Sequence, residues 1–573
     1  MGHRSLKKTV VCLTLAGLVA SGLGVWSYQT ALGARPRGAS LPFREYQAES
    51  AKTSGHVIGP SRKFETKAAE ASGRKAVLLN GGQYVEFTLK SPANAVDIRY
   101  SIPDSSNGSP RSIPLAIQVN GVAAGDLTLT TAYSWFYGGY PFTNNPHDGG
   151  AHHFFDDVRT MFGSTFPAGA KVRLVASAST VIDLADFELV GPPLERPANS
   201  IAVTDYGADP TGVINSGNAF RDAIAAGQAQ GKPVWIPRGT FYVTGHVIVD
   251  DVTLQGAGPW YSVLRGEGLG IYGNYPPSPS TNVRLSDFAI FGEVTERNDS
   301  AQVNGIGGAL GGGSVISNIW IQHTKVGIWL DGPFDGLLVT GCRIQDVTAD
   351  GLNLHKGISH AIVENTFVRN TGDDGLAMWS EGLADKHDTF RFDTVSLPIL
   401  ANNVAIYGGS NNSVTDSLLS DTVTEGGGIQ VANRFASAPL AGTTTLARNT
   451  IMRAGSYYPV GAFNYGAITF YAMITAVTGY ERITDTKILD SSHAAIQFVG
   501  NGVKNVRFDR LTIDGATFGV QVQSNGSASF YHATAKKLST AGVFFCPTAN
   551  HFKLYGKAHW LKRKRCGPER PRK

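Results

Sequence analysis

Asp350 and Asp374 each open an Asp-Gly-Leu, 24 residues apart, and Asp373 stands immediately before the second. If the chain coils with a period near 24 residues, equivalent side chains on successive parallel turns stack about 4.8 Å apart. Carboxyl groups that close do not ionise independently, and one keeps its proton to higher pH and becomes a donor near neutrality. An isolated Asp-Gly is ordinary turn chemistry, with the Asp bonding its own backbone. A stacked repeat with a doubled Asp sets three like charges against one another, and that repulsion needs a reason. Cleavage of a glycosidic bond supplies one, because it uses a protonated acid on the leaving oxygen and a second carboxylate on the side of the nucleophile. Elimination from a uronate is the neighbouring chemistry, in which acidic residues hold Ca²⁺ and an Arg or Lys removes a proton. Lys356 and Arg434 are the candidates for that base, and neither falls on a coil position stacked with the aspartates, which favours hydrolysis.

Other side chains near the trio have the character of sugar contacts. Asn353, His355 and Lys356 follow Asp350 closely, so at least one faces solvent and is a candidate for binding hydroxyls, while Arg434 joins them as a substrate-binding candidate. Trp329 and Trp379 lie just beyond the repeating Gly-apolar positions, where a flat ring could stack on a pyranose or else fill the core.

The element that must hold these residues is a solenoid. From about Val252 a Gly followed by an apolar residue recurs at Gly327, Gly351, Gly375, Gly428, Gly466, Gly519 and Gly542, with Ala495 standing in once, and a second strand precedes each. Steps of 23 or 24 residues dominate. Two are longer, through 381–411 and 453–482, and predict loops grown out of the coil on the side of the site. No helical period recurs between strands, which excludes a doubly wound α/β fold. Upstream, Asn218 to Ala229 carries apolar residues at helical spacing before the strand-like VWIP, and predicts a helix capping the open end of the first coil.

Residues 41–192 alternate apolar and polar positions in short runs (QYVEFTL, AVDIRYSI, KVRLVA, VIDLADFELVG) and predict an antiparallel β-sandwich. Its loop AYSWFYGGYPF offers Trp135, Phe136, Tyr137 and Tyr140 as stacking faces or as packing, and the nearby His152, His153, Asp156 and Asp157 read as a surface turn, not a metal site. A Pro-rich linker, GPPLERPANS, separates sandwich from solenoid.

At 573 residues the chain exceeds a single core, and 68 glycines with 17% charged residues suit a turn-rich β protein. The net charge of +5 is concentrated in residues 557–573, a basic tail of +7 that leaves −2 for the rest, so nothing resembles a nucleic-acid groove. Arg4, Lys7 and Lys8 followed by an apolar run read as an export signal over residues 1–34, giving a secreted protein, with an uncleaved membrane anchor as the rival. Cys546 and Cys566 could pair, Cys342 reads as a buried apolar residue, and no cysteine pair has zinc-site spacing. No cofactor is called for, a structural calcium ion is compatible with the sequence, and a monomer acting on a polysaccharide is expected.

Several stretches resemble known families. FREYQAESA and VIDLADFELVG resemble the jelly-roll carbohydrate-binding modules of secreted glycosidases, and the segment around GADPTG resembles the entry to pectate-lyase-like right-handed parallel β-helices. TADGLNLHKG with NTGDDGLAMWS is similar to the catalytic core of glycoside hydrolase family 87, the α-1,3-glucanases or mutanases, from about Phe43 to Leu554. The resemblance implies an all-β architecture, a jelly-roll β-sandwich at 41–192 followed by a right-handed parallel β-helix at 199–556. It also implies catalytic Asp350, Asp373 and Asp374 and an endo-acting, inverting cleavage of α-1,3-glucan. By analogy with similar β-helix hydrolases, Asp373 is the general acid and Asp350 and Asp374 hold the water. Polygalacturonases are similar in arrangement, but they carry Gly-His-Gly on the coil after the trio. Here that coil is read as EGGGIQVANR, without His.

Overall fold

The computed structural model describes residues 36–133, 135–150, 152, 154–458, 463–546 and 551–565. The expected export segment, His153 and Cys566, and with it the suggested Cys546–Cys566 pair, lie outside them.

The alternating runs form two antiparallel sheets. One orders His56–Ile58, Ala76–Leu79, Thr180–Glu188, Ala93–Ser101 and Asp156–Phe166, with Phe43–Gln47 also pairing along Thr180–Glu188. The other orders Lys52–Thr53, Tyr84–Thr88, Lys171–Ala176, Ser112–Val119 and Val122–Thr130. Val96, Ile98, Leu115, Ile117, Val172 and Leu174 point between them and are buried, as period-two alternation requires.

After the linker the described strands all pair in parallel, stacking coil on coil, with an isolated antiparallel bridge between Glu381 and Ser437. Ile328 pairs with Leu352, Leu352 with Leu376, Leu376 with Val404, and Val404 with Ile429, a continuous inward column of fully buried aliphatic side chains. The glycine before each column member has a steric cause: a Cβ on Gly351 would collide with the Gly375 carbonyl and Val368, and one on Gly375 with Val395. The helix Gly217–Gln230 covers the first coil with Ala219, Phe220, Ala223 and Ile224 and ends at Gly231 in the left-handed region (φ 60°). Cys342 is buried in the coil, its thiol pushed up to about 12 by burial.

Three expectations need correction. Residues 381–411, read as a loop, contain a complete coil with strands Thr389–Arg391, Thr394–Ser396 and Val404–Tyr407. The Gly marker is missing there because Asn403 takes its place, its buried Nδ2 donating to the carbonyls of Val395 and Ser420. The coil after the trio is therefore the one carrying Asn402 and Asn403, and Gly426–Gly428 belongs to the coil beyond. Similarly, the basic tail begins later than 557: Trp560 packs on Phe530 and Arg563–Arg565 pairs with Val543–Phe545 as part of the last coil. Finally, Asp156 and Asp157 are buried, not a surface turn.

Those aspartates lie where the sandwich meets the β-helix. Arg369, buried on the β-helix, donates from Nη2 to Asp157 Oδ1 (2.6 Å) and from Nη1 to Asp186 Oδ2 (2.9 Å), both on sandwich strands. Asp97 also approaches it at 3.6 Å. Arg99 of the sandwich holds Asp183 and reaches Asn370 Oδ1 at 3.0 Å. Burial, reinforced by Asp157, pushes Asp97 up to about 7, so this interface is held by charges that need each other. Arg369→Ala leaves Asp157 and Asp186 without their countercharge and is expected to destabilise the protein by about 3–5 kcal/mol. Urea denaturation followed by tryptophan fluorescence checks it, and an unchanged midpoint contradicts it.

Candidate active site

The turns before Leu352 and Leu376 lock together through the backbone. Gly351 N donates to the Asp374 carbonyl (2.9 Å), and Gly372 N donates to the carbonyls of Val347 and Ala349. This register brings Asp350, Asp373 and Asp374 together, with one oxygen of each within 4.8 Å of the others. They sit in a cleft of about 790 Å³ on the outer face of the coil.

Their surroundings differ. Asp374, 3% exposed, accepts from three donors: Oδ1 accepts from Asn402 N and Nδ2, both at 2.8 Å, and Oδ2 accepts from the Tyr407 hydroxyl at 2.8 Å. Asp350, 8% exposed, accepts from Asn353 Nδ2 at 2.8 Å. Asp373 has a side chain 25% exposed, and it accepts from Arg297 Nη2 at 2.7 Å and from Asp374 N at 3.0 Å.

Burial first, then the neighbouring charges of Asp373 and Asp374, holds the Asp350 carboxyl well above the usual range. Burial and Asp373 push Asp374 up to about 7 against the pull of its Asn402 and Tyr407 donors. Near neutrality the trio therefore retains a proton among its members. Carboxylates this close can hold a cation, but Asn402 and Tyr407 already occupy the Asp374 oxygens and the Arg297 guanidinium supplies positive charge at Asp373. A second grouping, Asp156, His323 and Asp346, has its donors engaged in hydrogen bonds with one another and with Gln322 and Asn370.

Trp329, Asn353, His355, Trp379 and Arg434 all line the cleft, as their sequence positions suggested. Trp329 and Trp379 meet edge to face, with ring centroids 6.1 Å apart. His355 lies against both rings, its Nδ1 2.6 Å from Asp331 Oδ1 and its Nε2 3.3 Å from Glu381 Oε2, so two carboxylates orient the imidazole. Arg434 lies over the Phe435 ring at 3.8 Å and donates to Gln430. Lys356 does not join them: its side chain is 47% exposed, 4.0 Å from Glu381, and it is not part of the cleft wall. Its backbone is left-handed (φ 72°), at the turn that ends the strand carrying Asn353 and His355.

Of the aromatic loop, Trp135, Phe136 and Tyr137 are buried; Trp135 and Phe136 pack with Phe154 and Ile399, against the β-helix. Tyr140, 58% exposed, reaches the cleft. Trp135 has a specific task. It backs Gly372, where a Cβ would collide with the indole and with the Thr348 carbonyl, so the sandwich buttresses the turn that carries Asp373.

Sequence reasoning missed Arg297, Asp299, Asn402 and Tyr407. Asn402 and Tyr407 lie on the coil misread as a loop; the Asn pair at 402–403, in the place of the marker glycine, was the available signal. Arg297 and Asp299 come from a stretch without strands, residues 293–305, that carries no periodic signal.

Comparison with known proteins agrees with this picture. A family model described as α-1,3-glucanase catalytic domain D1 matches residues 40–190, and another, α-1,3-glucanase catalytic domain D2, matches residues 215–522. Among solved structures, the catalytic unit of a thermostable GH87 α-1,3-glucanase from Streptomyces thermodiastaticus strain HF3-3 is 41% identical. It superposes with a TM-score of 0.85 over 92% of this chain and 98% of that one. The Agl-KA catalytic domain is 26% identical with the same TM-score, covering 92% of this chain and all of the other. A GH87 α-1,3-glucanase catalytic domain in complex with nigerose is 23% identical, with a TM-score of 0.80 over 91% of this chain and 100% of that one, a likeness of fold. No curated protein matches the chain.

The raised carboxyls have a consequence for stability. An unfolded Asp titrates near 3.9, so the contribution of Asp350 and Asp374 is fully present below that pH and is lost as pH rises through the folded value, about 7 for Asp374. Asp350→Asn keeps an acceptor for Asn353 but removes the buried charge. It is expected to stabilise the protein at pH 8 by about 1–2 kcal/mol while lowering turnover about 10²–10⁴-fold. Calorimetry and reducing-sugar release check the two halves, and a lower melting temperature at pH 8 contradicts the first.

Proposed function

The chain belongs to the glycoside hydrolase family 87 α-1,3-glucanases, and from that premise we propose that Asp373 protonates the leaving glycosidic oxygen while Asp350 and Asp374 hold and deprotonate the attacking water. The enzyme hydrolyses α-1,3-glucosidic bonds; the division of labour is what the proposal adds. The observation that carries it is exposure. Asp373 alone of the three has a quarter of its side chain open to the cleft, where a leaving oxygen can be reached. Asp350 and Asp374 lie deeper, 8% and 3% exposed, a setting that suits contact with a small water molecule better than with a sugar ring.

The same geometry supports inversion. Closely spaced carboxyls are usual for retaining enzymes, at about 5–5.5 Å, against about 6.5–9.5 Å for inverting pairs. Retention, however, needs a carboxylate free to attack carbon. Three donors occupy the oxygens of Asp374, which suits a group that positions water and takes its proton better than one that bonds to the sugar.

Related catalytic domains have been solved with nigerose and with tetrasaccharides, which supports a cleft spanning several glucose units and endo cleavage of a polymer. Along this cleft the Trp329 and Trp379 rings are the stacking platforms, and His355, fixed by Asp331 and Glu381, is a hydroxyl partner. The proposal includes an exported, monomeric enzyme, with the basic and apolar segment over residues 1–34 removed on export.

Two measurements test this reading. NMR of the first products released from α-1,3-glucan is expected to show the β-anomer appearing before mutarotation; α-anomer first would overturn the assignment of the trio. Product sizing is expected to give a ladder of oligosaccharides early in the reaction, and glucose or a single dimer alone would contradict endo cleavage.

A further inference from the structure

The wall of the cleft beside Asp373 is built by both halves of the molecule. Arg297, in the segment 293–305, has a side chain only 7% exposed and makes three polar contacts. Nη2 donates to Asp373 Oδ2 (2.7 Å), Nη1 to the Gly372 carbonyl (3.3 Å), and Nε to Asp299 Oδ1 (2.7 Å). Asp299 is tied in turn: the Tyr140 hydroxyl donates to its Oδ2 at 3.2 Å, and Lys325 Nζ donates to its carbonyl at 3.1 Å and to that of Ala301. The Tyr140 ring lies 4.9 Å from the guanidinium carbon. A chain of contacts thus runs from the β-sandwich loop through Tyr140, Asp299 and Arg297 to the most exposed member of the trio.

We propose that Arg297 is a positioning residue for hydrolysis: it aims the Asp373 carboxyl into the cleft and, as a fixed positive charge bonded beside the trio, makes the alkaline limb of activity depend on it, with Tyr140 of the sandwich holding it in place. This rests on Asp373 being the proton donor, as proposed above. A forked guanidinium gripping both the carboxylate and the carbonyl of the preceding residue leaves the turn at 372–373 little freedom to rotate. Burial opposes the charge of Arg297, but Asp373 and Asp299 more than offset that opposition, and the group stays cationic at every working pH. Its charge therefore acts on Asp373 as a constant.

Other charges face the same carboxyl and set the background of the limb. Asp350 and Asp374 lie on the coil turns, and Lys325 and Asp299 flank Arg297. Across the cleft stand Glu425, raised by burial and then by Asp373, and Arg434 with Tyr407. None of these except Arg297 donates to Asp373 Oδ2 within 2.7 Å.

The test compares Arg297→Gln, Arg297→Lys and Tyr140→Ala with the parent enzyme, following kcat and KM against pH on a soluble α-1,3-gluco-oligosaccharide. In Arg297→Gln the alkaline limb of kcat is expected to move up by about 1 pH unit or more, with kcat at its optimum down about 10–100-fold and KM changed much less. Arg297→Lys keeps the charge without the fork, so the limb is expected to stay near that of the parent while kcat falls. Tyr140→Ala is expected to move the limb in the direction of Arg297→Gln by a smaller amount. An alkaline limb unmoved in a folded Arg297→Gln, or, should that variant not fold, unmoved in Tyr140→Ala, overturns the inference. Asp373→Asn separates the premise: if it retains more than a tenth of the parent kcat, the proton donor is misassigned, whatever the Arg297 variants do.

Discussion

Parallel strands stacked about 4.8 Å apart leave the site little choice of geometry. With Leu352 paired to Leu376, Asp350 must lie against Asp374, and the backbone bond from Gly351 to Asp374 removes any slack. The same register writes the cleft floor as columns. Asp331, His355, Trp379 and Tyr407 follow one another on four successive coils, and beside them run Trp329, Asn353, Ala377 and Ala405. The second column shrinks from indole to methyl just where the trio needs room. A change of register by one residue would turn both columns into the core.

Holding three carboxyls in one place opposes stability, and the molecule answers with directed donors and a guanidinium bonded to the exposed carboxyl. Asn353, Asn402 and Tyr407 serve the two buried aspartates, and Arg297 serves the exposed one. Balance is left incomplete: Arg297, bonded to Asp373, and Lys325 and Arg434 nearby do not offset burial and mutual repulsion, so a proton stays within the trio near neutrality. A proton shared among coupled carboxyls is the state from which acid and base roles can be divided, and a fully neutralised site would lack it.

Much of this was legible in the sequence because solenoids repeat. Gly-apolar pairs mark the inward columns, and their period alone puts Asp350 over Asp374. The reading failed where the repeat was kept by other means. Asn403 meets the turn's hydrogen-bonding needs with a side chain where its neighbours use glycine, so a whole coil passed for a loop, and Asn402 and Tyr407 went with it. It failed too where contacts cross between domains. Nothing in AYSWFYGGYPF distinguishes the rings that become buried, Trp135 and Phe136, from Tyr140, which reaches the cleft, because the β-helix surface decides. Asp156 and Asp157 looked like an exposed acidic turn for the same reason: their partners, His323 and Arg369, lie more than 160 residues away.

Those interdomain contacts alter what the β-sandwich is for. A module that only captured polysaccharide would keep its aromatic faces free and its linker slack. Here Trp135 is spent behind Gly372, Arg369 and Arg99 knit the two domains through buried acids, and Arg37 to Ser40, ahead of the first strand, bond to the coils at 449, 416, 394 and 365. The turn bearing Asp373 is thus clamped from below by the preceding coil and from the side by the sandwich. Rigidity at that turn matters because a proton donor displaced by about 1 Å can lose about 10²-fold in rate. A coil edge alone, open to solvent on its outer face, offers no such lateral support. The sandwich supplies it, which makes it part of the catalytic apparatus and not a detachable accessory.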